Sequence, residues 1–507
     1  MKINFDTFIA SVLAIGFILF LGFMGSAAGL SFDASYNLLS YQNLFNGKGF
    51  LYDYDGKRVM FDPGITTGPE LYLPVFAIWK LMGQTNYYAS VYVVIAYYAL
   101  FLGFLIFYVL RTSKIKTLSI VTFILLFLCS RQIFESYLAI IPLGEIAACF
   151  LTFSGIYLLS KKRLVVGFLL LGLALDLKFN IVVSLLPTIV AFLLLEFIIP
   201  SLKEMKAKEA LKIAAKLTLL SLLIFIPSLI HTRIIPSIVL DSKDNKILAA
   251  AQKERLSYER KRAFGQIRDL RKNLNKEGLN QFVSRIGEKY TALKAWHGES
   301  SLLLALFGLL LITFIFVSYR EKHFSFYFFI FSLFIAAWWL VAPVDVWYRY
   351  FLPAQFLFLL GIVALIPVLI ERKNRIISIA ISLAVIILFV PQFSFSAIRR
   401  NLDDTDKNNL MMMKDFIQGI DEQNIFAYGW FQCPQLMLLT NKRFQDYTDK
   451  EKVAEAKQEG EKIFLLTTVE SRHYIEIKNE VEDVTKKFQL VREYGYNRLY
   501  RIRYDQQ

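Results

Sequence analysis

Long apolar runs, almost free of charge, constrain this chain more than any other feature. Several approach 20 residues, the length at which an α-helix crosses the hydrocarbon core of a bilayer. The runs are residues 8–26, 87–110, 117–134, 143–160, 164–178, 181–199, 216–238, 300–318, 324–342, 350–370 and 376–393. Since 56% of the 507 residues are apolar, more than a soluble core needs, we predict an all-α polytopic membrane protein. It would have about 11 transmembrane helices.

Basic residues in the short connections predict the orientation. Positive connections favour the cytoplasmic side, and one side collects five of them: 111–116, 161–163, 203–216, 319–323 and 371–375. This assignment places the protein in the cell (inner or plasma) membrane, with its N-terminus in the cytoplasm. Lys2 and the small residues after the first run also fit a secretory signal, but the length of the run favours an uncleaved anchor.

Two segments need separate treatment in this parse. Residues 69–83 are short for a span and contain Pro74, so we interpret them as an interfacial or re-entrant helix on the outer side. The basic segment 239–299 falls outside as well, and long loops can be exported largely regardless of charge. Its Arg-rich part would form an amphipathic helix at the membrane surface.

Two domains are expected. Residues 1–398 would form the membrane domain, with a first outer loop at 27–86 and a long outer loop at 239–299. Residues 399–507 are polar and would form a small soluble α/β domain on the outer face. Its predicted strands are NIFAYGW, KIFLLTTV and NRLYRIRY, and DKEKVAEAKQEGE is predicted to be helical.

Charge and cysteine usage exclude several classes of function. The net charge of +15 comes from Lys and Arg clustered in loops, and no nucleic-acid-binding motif accompanies it. The three cysteines and four histidines lack the spacing of a disulfide framework or a metal site. We therefore expect no nucleic-acid partner and see no cofactor motif.

Ionisable residues at the outer ends of the spans are the candidate functional residues, since such groups are costly near a membrane unless paired or hydrated. Asp33 follows the first span and could instead be a helix N-cap. Glu145 begins a span, where the helix dipole alone would favour it. Lys178 could bind an anion, snorkel to the interface, or pair with Asp176.

Further candidates lie on the same predicted face. Arg349 stands in PVDVWYRYFLP at the mouth of a span, where it suits a phosphate or a structural carboxylate; Tyr348 beside it also fits an interfacial aromatic belt. Arg131 and Glu135 are one helical turn apart and could pair with each other. The lesser candidates are the acidic residues Asp62 and Glu70.

The order of these segments resembles a known family. FDASYNLLSYQNLFNGKG followed by TTGPELYLPVFAIWKLMG resembles the polytopic GT-C glycosyltransferases, with bacterial relatives of protein O-mannosyltransferase and of the lipid A aminoarabinose transferase closest. LGEIAACFLTFSGIYLLSKKR, VVGFLLLGLALDLKFN and WYRYFLPA resemble later segments of the same family. Those enzymes commonly carry two acidic residues after the first span, whereas here Asp33 is followed by Ala34.

The resemblance implies an inverting transfer of a sugar from a polyprenyl-phosphate-linked donor to a lipid, glycan or protein acceptor on the outer face. Asp33 would be the general base. Lys178 and Arg349, with Arg131 as a third, would bind the leaving phosphate. Glu145 would orient the sugar or acceptor or support a divalent metal, which the sequence leaves open. Two alternatives stay open: a polysaccharide polymerase or ligase using lipid-linked sugars, and a lipid-linked-sugar flippase or transporter.

Overall fold

Apolar helices make up most of the structure, which is a computed structural model. In the part of the chain that the structure describes, five helices are long and apolar enough to cross a membrane: Phe5–Ser26, Tyr88–Tyr108, Val182–Leu202, Leu211–Leu229 and Arg349–Ile370. Five apolar helices are shorter: Lys116–Leu128, Glu145–Ser160, Leu164–Leu177, Ala305–Arg320 and Ser325–Leu340. Together they cover every predicted run except 376–393, which lies outside the described residues. The prediction of an all-α integral membrane protein is confirmed.

The structure describes most of the chain, with gaps. The described residues are 4–27, 30–49, 51–54, 57–60, 67–109, 116–129, 140–204, 207–230, 276–296, 301–341, 348–371, 405–421, 425–430, 432–447, 449–458, 462–468 and 488–502. The Arg-rich part of the long loop, predicted to be helical, lies outside them.

The membrane part is built from fifteen helices within the described residues. They are α1 (Phe5–Ala27), α2 (Phe32–Phe45), α3 (Pro69–Met82), α4 (Tyr88–Phe104), α5 (Lys116–Cys129), α6 (Glu145–Ser160), α7 (Leu164–Leu177), α8 (Val182–Leu193), α9 (Ile199–Glu204), α10 (Ala207–Ser221), α11 (Ile226–Leu229), α12 (Lys276–Trp296), α13 (Ser301–Arg320), α14 (Ser325–Val341) and α15 (Tyr348–Glu371). Single turns of π-helix at Leu105–Val109 and Leu194–Ile198 extend α4 and α8, and short 3₁₀ turns lie at Phe179–Ile181 and Leu222–Phe225.

The core of the bundle lies around α15. This helix packs against α5, α6 and α14, and its side chains Leu352, Phe356 and Leu360 are fully buried. The ring of Phe356 lies 6.1 Å from that of Phe127 and 5.4 Å from that of Phe150. Because lipid is as apolar as these side chains, close packing rather than water exclusion holds such helices together.

Polar contacts join helix ends on the side of the bundle away from Asp33. The Asp6 carboxylate accepts the backbone N–H of Lys116 at 2.7 Å and so caps the start of α5. Glu196, in the π-helical turn after α8, accepts from Lys162 at 3.0 Å and from the Tyr327 hydroxyl at 2.9 Å. The start of α1 thus lies at the same end of the bundle as Lys116, Lys162 and Tyr327, which stand in or near three of the connections predicted to be cytoplasmic.

The opposite end carries α2, α3 and α12. Lys289 of α12 is buried and donates to the carbonyl of Trp339 at 2.5 Å, near the C-terminal end of α14. The described part of the long loop therefore lies on the same side as Asp33, as the parse expects. The 14 residues of α3 are fewer than a span requires. Which end faces the cytoplasm stays a prediction.

The described residues of the C-terminal region form a mixed five-stranded sheet with accompanying helices. Its strands β3 (Ile425–Trp430), β4 (Gln445–Asp446), β5 (Phe464–Thr468), β6 (Gln489–Tyr494) and β7 (Asn497–Arg501) run in the order β4-β3-β5-β7-β6. β3 is parallel to β4 and β5, whereas β7 is antiparallel to β5 and β6. The accompanying helices are α16 (Thr405–Gln418), α17 (Cys433–Thr440) and α18 (Lys450–Gln458). The three predicted strands and the predicted helix are confirmed.

A short antiparallel hairpin was not predicted. Strands β1 (Leu51–Tyr54) and β2 (Lys57–Met60) pair within the first outer loop, with Asp53 opposite Arg58. The hairpin follows α2 directly, and β1 packs against that helix. The predicted first outer loop, residues 27–86, therefore contains regular strands as well as helices.

Candidate active site

Asp33 lies in the first turn of α2 and is not its N-cap. The N-cap is Ser31, whose hydroxyl accepts the backbone N–H of Ala34 at 3.3 Å. The N-cap interpretation of Asp33 is therefore wrong. Its carboxylate still benefits from the positive end of the helix dipole, and 38% of the side chain is exposed. Asp33 is thus held at the end of a helix with its carboxylate accessible.

Arg349, in the first turn of α15, forms an ion pair with Asp33. Its Nη1 donates to Oδ2 of Asp33, and its guanidinium carbon lies 5.2 Å from the centre of the Tyr350 ring. The Tyr350 hydroxyl is 3.4 Å from Nη2. Arg349 was expected to bind a phosphate or a structural carboxylate, and Asp33 is such a carboxylate. A planar guanidinium fixes the direction of a carboxylate better than an ammonium does.

A second ion pair joins Glu145 and Lys178. The Lys178 Nζ is 3.0 Å from Oε1 of Glu145, and the Glu145 side chain is only 6% exposed. Glu145 opens α6 and Lys178 follows the last residue of α7, so each charge suits the dipole of its helix. The suggested pairing of Lys178 with Asp176 is wrong, since Oδ1 of Asp176 instead accepts the Ser228 hydroxyl at 2.8 Å.

The short segment before α3 ties these residues together. The backbone N–H of Thr67 donates to Asn37 Oδ1 at 3.3 Å, and Asn37 Nδ2 donates to the carbonyl of Asp33 at 2.7 Å. The Thr67 hydroxyl donates to the carbonyl of Leu143 at 2.9 Å. Thr67 therefore links the helix that carries Asp33 with the turn that leads into Glu145.

Gly144 makes that turn. Its φ of +85° is in the left-handed region, which glycine adopts without strain. A β-carbon there would lie 2.6 Å from Cγ2 of Thr67, far inside van der Waals contact. Both the backbone conformation and the close approach of Thr67 therefore require glycine immediately before Glu145.

Tyr72 of α3 lies close enough to both ion pairs to be affected by the charges of Asp33 and Glu145. Burial raises the pKa of Tyr72 well above its ordinary value, and the charges of Tyr41, Glu145 and Asp33 raise it further. The Tyr72 hydroxyl donates to the carbonyl of Pro142 at 2.6 Å. Tyr72 thus stays a neutral hydrogen-bond donor.

Glu70 lies beside this group and forms a carboxyl pair of its own. It is in the first turn of α3, and its buried Oε2 lies next to Gly68, which packs against the backbone of Asp176 at the end of α7. Burial raises the pKa of Glu70 to about 9, and the charge of Asp176 contributes to the rise. Burial beside a second carboxyl therefore favours the neutral form of Glu70, unlike that of an ordinary surface glutamate.

The C-terminal region docks onto the helix that carries Asp33. Gln42 Nε2 of α2 donates to the carbonyl of Leu438 at 2.9 Å, and Asn46 Nδ2 donates to Asn441 Oδ1 at 2.7 Å. Both partners lie in α17 or directly after it. Because α2 is held between the bundle and the sheet, its residues 34–43, polar ones included, are buried on all faces. No amphipathic period therefore marks this helix in the sequence.

Solved structures provide the comparison. No protein-family model and no curated protein matches the sequence. Two structures of ArnT from Cupriavidus metallidurans match almost the whole chain. The one bound to undecaprenyl phosphate has a TM-score of 0.56 at 9% identity over 98% of both chains. The apo form has a TM-score of 0.57 at 9% identity over 97% of both chains.

The chain has the fold of ArnT. ArnT is the lipid A aminoarabinose transferase, of the GT-C type, so the resemblance of the sequence motifs is confirmed at the level of the fold. At 9% identity the likeness concerns the architecture of the chain. The side chains of this chain have to be judged on their own contacts.

Within the ArnT fold, four predicted site residues meet as two pairs: Asp33 with Arg349 and Glu145 with Lys178. Glu70 lies next to them. Arg131, Glu135 and Asp62 lie outside the described residues, as does the side chain of Tyr348. Among the described residues, no three His, Cys, Asp or Glu side chains converge as metal ligands.

Sequence reasoning missed the residues that hold the pairs in place. Thr67, Asn37 and Tyr72 were not predicted to be part of the site. The signal available for them was weak: TTGPELY places small and turn-forming residues directly before an apolar helix, which is typical of a backbone close to another element.

Proposed function

We propose that this chain is a membrane glycosyltransferase that moves a sugar from a polyprenyl-phosphate-linked donor to an acceptor at the face carrying Asp33. The observation that carries the proposal is the likeness over 98% of both chains to ArnT, a protein whose structure is bound to undecaprenyl phosphate. The two carboxylate–cation pairs at one end of the helices support it, since the reaction needs both a base and cations. A carrier or a polymerase has no comparable support.

Asp33 would act as the general base. The acceptor nucleophile attacks the anomeric carbon, its proton passes to the Asp33 carboxylate, and the bond from that carbon to the phosphate oxygen breaks. A carboxylate is a weak base for a hydroxyl, so it helps only when it is placed within hydrogen-bond reach in the transition state. The contact with Arg349 provides this placement. A single displacement inverts the anomeric centre.

Arg349 and Lys178 would stabilise the leaving phosphate. Negative charge grows on that group as the glycosidic bond breaks, and cationic donors in place beforehand lower the barrier. Glu145 would hold Lys178 in position and orient the sugar or the acceptor. Arg131 is the third candidate cation. Because the lipid tail of such a donor stays in the bilayer, a site at the ends of apolar helices suits this substrate.

The side of the membrane is part of the proposal. We place Asp33, the loop at 239–299 and the C-terminal domain outside the cell membrane, with the N-terminus in the cytoplasm. The sharing of one end of the bundle by α2, α12 and the sheet supports this arrangement. The acceptor would be a lipid, glycan or protein presented there.

Purified protein in lipid nanodiscs tests the function. It would be incubated with a panel of undecaprenyl-phosphate-linked sugars and a membrane extract as the source of acceptor, and released undecaprenyl phosphate would be measured by mass spectrometry. We expect release that depends on the acceptor with at least one sugar. Absence of release, together with no binding of undecaprenyl phosphate to the protein, would contradict the proposal.

A further inference from the structure

Glu70 and Asp176 place two carboxyl groups side by side where two helices of the site meet. Glu70 is in the first turn of α3, and Asp176 is in the last turn of α7, where its side chain is 6% exposed. Both carboxyls have a buried oxygen, Oε2 of Glu70 and Oδ2 of Asp176, and the backbone at Gly68 lies against Oε2 of Glu70 and the backbone oxygen of Asp176. Oε2 of Glu70 is buried, and no donor reaches it among the described residues. Two ionised carboxylates in such a position would repel each other.

The backbone around the pair is also tightly packed. The N–H of Gly68 donates to the carbonyl of Leu177 at 3.2 Å. A β-carbon on Gly68 would lie 2.5 Å from the backbone oxygen of Asp176 and 2.6 Å from Oε2 of Glu70. Only glycine therefore lets the segment before α3 rest on the end of α7. The Glu70 and Asp176 carboxyls add a side-chain contact to this backbone contact between the segment before α3 and the end of α7.

Given the groups that pack around Glu70 and Asp176, a shared proton is the simplest bond between the two carboxyls. From α2, Tyr41 is fully buried, and burial together with the charges of Glu70 and Asp176 raises its pKa. From α4, the Tyr97 hydroxyl donates to the backbone carbonyl of Glu70 at 3.0 Å. From α11, Ser228 donates to Asp176. The charge that acts on Glu70 is that of Asp176, and together with burial it raises the pKa of Glu70 to about 9.

We infer that Glu70 and Asp176 share one proton, and that this hydrogen bond positions Lys178 for the donor phosphate. The inference rests on the proposed function. Asp176 lies two residues before Lys178, so a displacement of the end of α7 also displaces the ammonium. Thr67, next to Gly68, supports the turn at Gly144 before Glu145. A single contact surface therefore sets both partners of the Glu145–Lys178 pair.

Loss of the proton gives the arrangement a pH dependence. Below the pKa of Glu70, the acid O–H donates to Asp176 and α3 stays against α7. Above it, the two carboxylates repel, the segment at Gly68 separates from Leu177, and Lys178 loses its position. One pH unit above that pKa, about a tenth of the molecules would keep the proton.

Glu70→Gln tests this directly. The amide is nearly isosteric with the neutral acid and donates a hydrogen bond without titrating. We expect transfer at neutral pH within about twofold of wild type, and little further loss one unit above the pKa of Glu70, where wild type falls about tenfold in kcat/KM. Glu70→Ala should raise KM for the donor at all pH values. Glu455→Gln, on the exposed face of α18, is the matched control and should follow wild type.

Infrared difference spectra separate this inference from the proposed function. Wild type should show a protonated carboxyl band that titrates near pH 9 and is missing in Glu70→Gln. If that band is present but no donor is turned over, the proposed function is overturned and the shared proton stands without its role toward phosphate. An absent band, or identical alkaline loss in wild type and Glu70→Gln, overturns the inference while transfer by wild type upholds the function.

Discussion

Asp33 and Arg349 form an ion pair although 316 residues separate them in the chain. Each lies in the first turn of a helix, one directly after the first membrane span and the other at the start of the central helix α15. The pair joins the candidate base to the best-packed part of the bundle. The position of the carboxylate is therefore set by the core of the membrane domain rather than by a loop.

Replacement of Arg349 should affect both roles assigned to it. We expect Arg349→Gln to lower kcat/KM about 10²- to 10³-fold, because Asp33 loses its orientation and the phosphate loses a cation. Arg349→Lys should be more active than Arg349→Gln but less active than wild type, since an ammonium lacks the planar donor geometry of a guanidinium. Arg498→Gln removes another Arg–carboxylate pair, the solvent-accessible one between Arg498 and Glu493 in the sheet, and should leave kcat/KM unchanged. Equal rates for Arg349→Gln and Arg498→Gln would exclude a role for Arg349.

The Glu145–Lys178 pair should contribute to stability as well as to activity. Lys178→Ala leaves the buried Glu145 carboxylate without its cation, so we expect a loss of about 1–3 kcal/mol in the free energy of unfolding. The double variant Glu145→Gln/Lys178→Met should recover part of that loss but not the transfer activity. Thermal unfolding in nanodiscs measures the first and undecaprenyl phosphate release the second. A double variant no more stable than Lys178→Ala would show that the pair is not coupled.

Gly144 should not tolerate a side chain. Alanine at this position carries the strain of a φ near +85° and a β-carbon against Cγ2 of Thr67. We expect Gly144→Ala to lower the unfolding free energy by about 1–3 kcal/mol. Adding Thr67→Ser removes the methyl group but keeps the hydroxyl bond to Leu143, so it should restore part of the stability. If Thr67→Ser brings no recovery, the steric part of the explanation is wrong.

Stability should fall with rising pH because of Glu70. Its pKa is raised from 4.5 to about 9 in the folded protein, so the folded state holds a proton that the unfolded state releases. The stabilisation from this proton is fully present below about pH 4.5 and is lost as the pH rises through about 9. The melting temperature of wild type should therefore decrease over this window relative to Glu70→Gln. If melting temperature changes with pH in the same way for wild type and Glu70→Gln, the raised pKa of Glu70 is contradicted.

Run length and loop charge predicted the architecture because both are local in sequence. The apolar runs within the described residues are helices at the expected positions, and Asp33, Glu145, Lys178 and Arg349 lie at the same end of the bundle. Their partners could not be read from sequence spacing. Lys178 and Asp176 are two residues apart, and residues at that spacing do not face each other on a helix.

Tertiary contacts decided the remaining features. The Glu70–Asp176 pair depends on how closely the backbone approaches at Gly68, which no sequence period reports. The β1–β2 hairpin did leave a signal, since Asp55–Gly56 between alternating residues is typical of a two-residue hairpin turn. Serine and aspartate are equally good N-cap residues by type, so residue type alone could not decide between Ser31 and Asp33 as the cap of α2.

Transfer by Asp33→Asn is the measurement that tests the central claim most directly. The asparagine keeps the shape of the side chain but cannot accept the proton of the nucleophile. We predict unchanged insertion into the membrane, retained binding of undecaprenyl phosphate, and a loss of sugar transfer of about 10²-fold or more. Transfer near the wild-type rate in this variant would contradict the assignment of Asp33 as the general base.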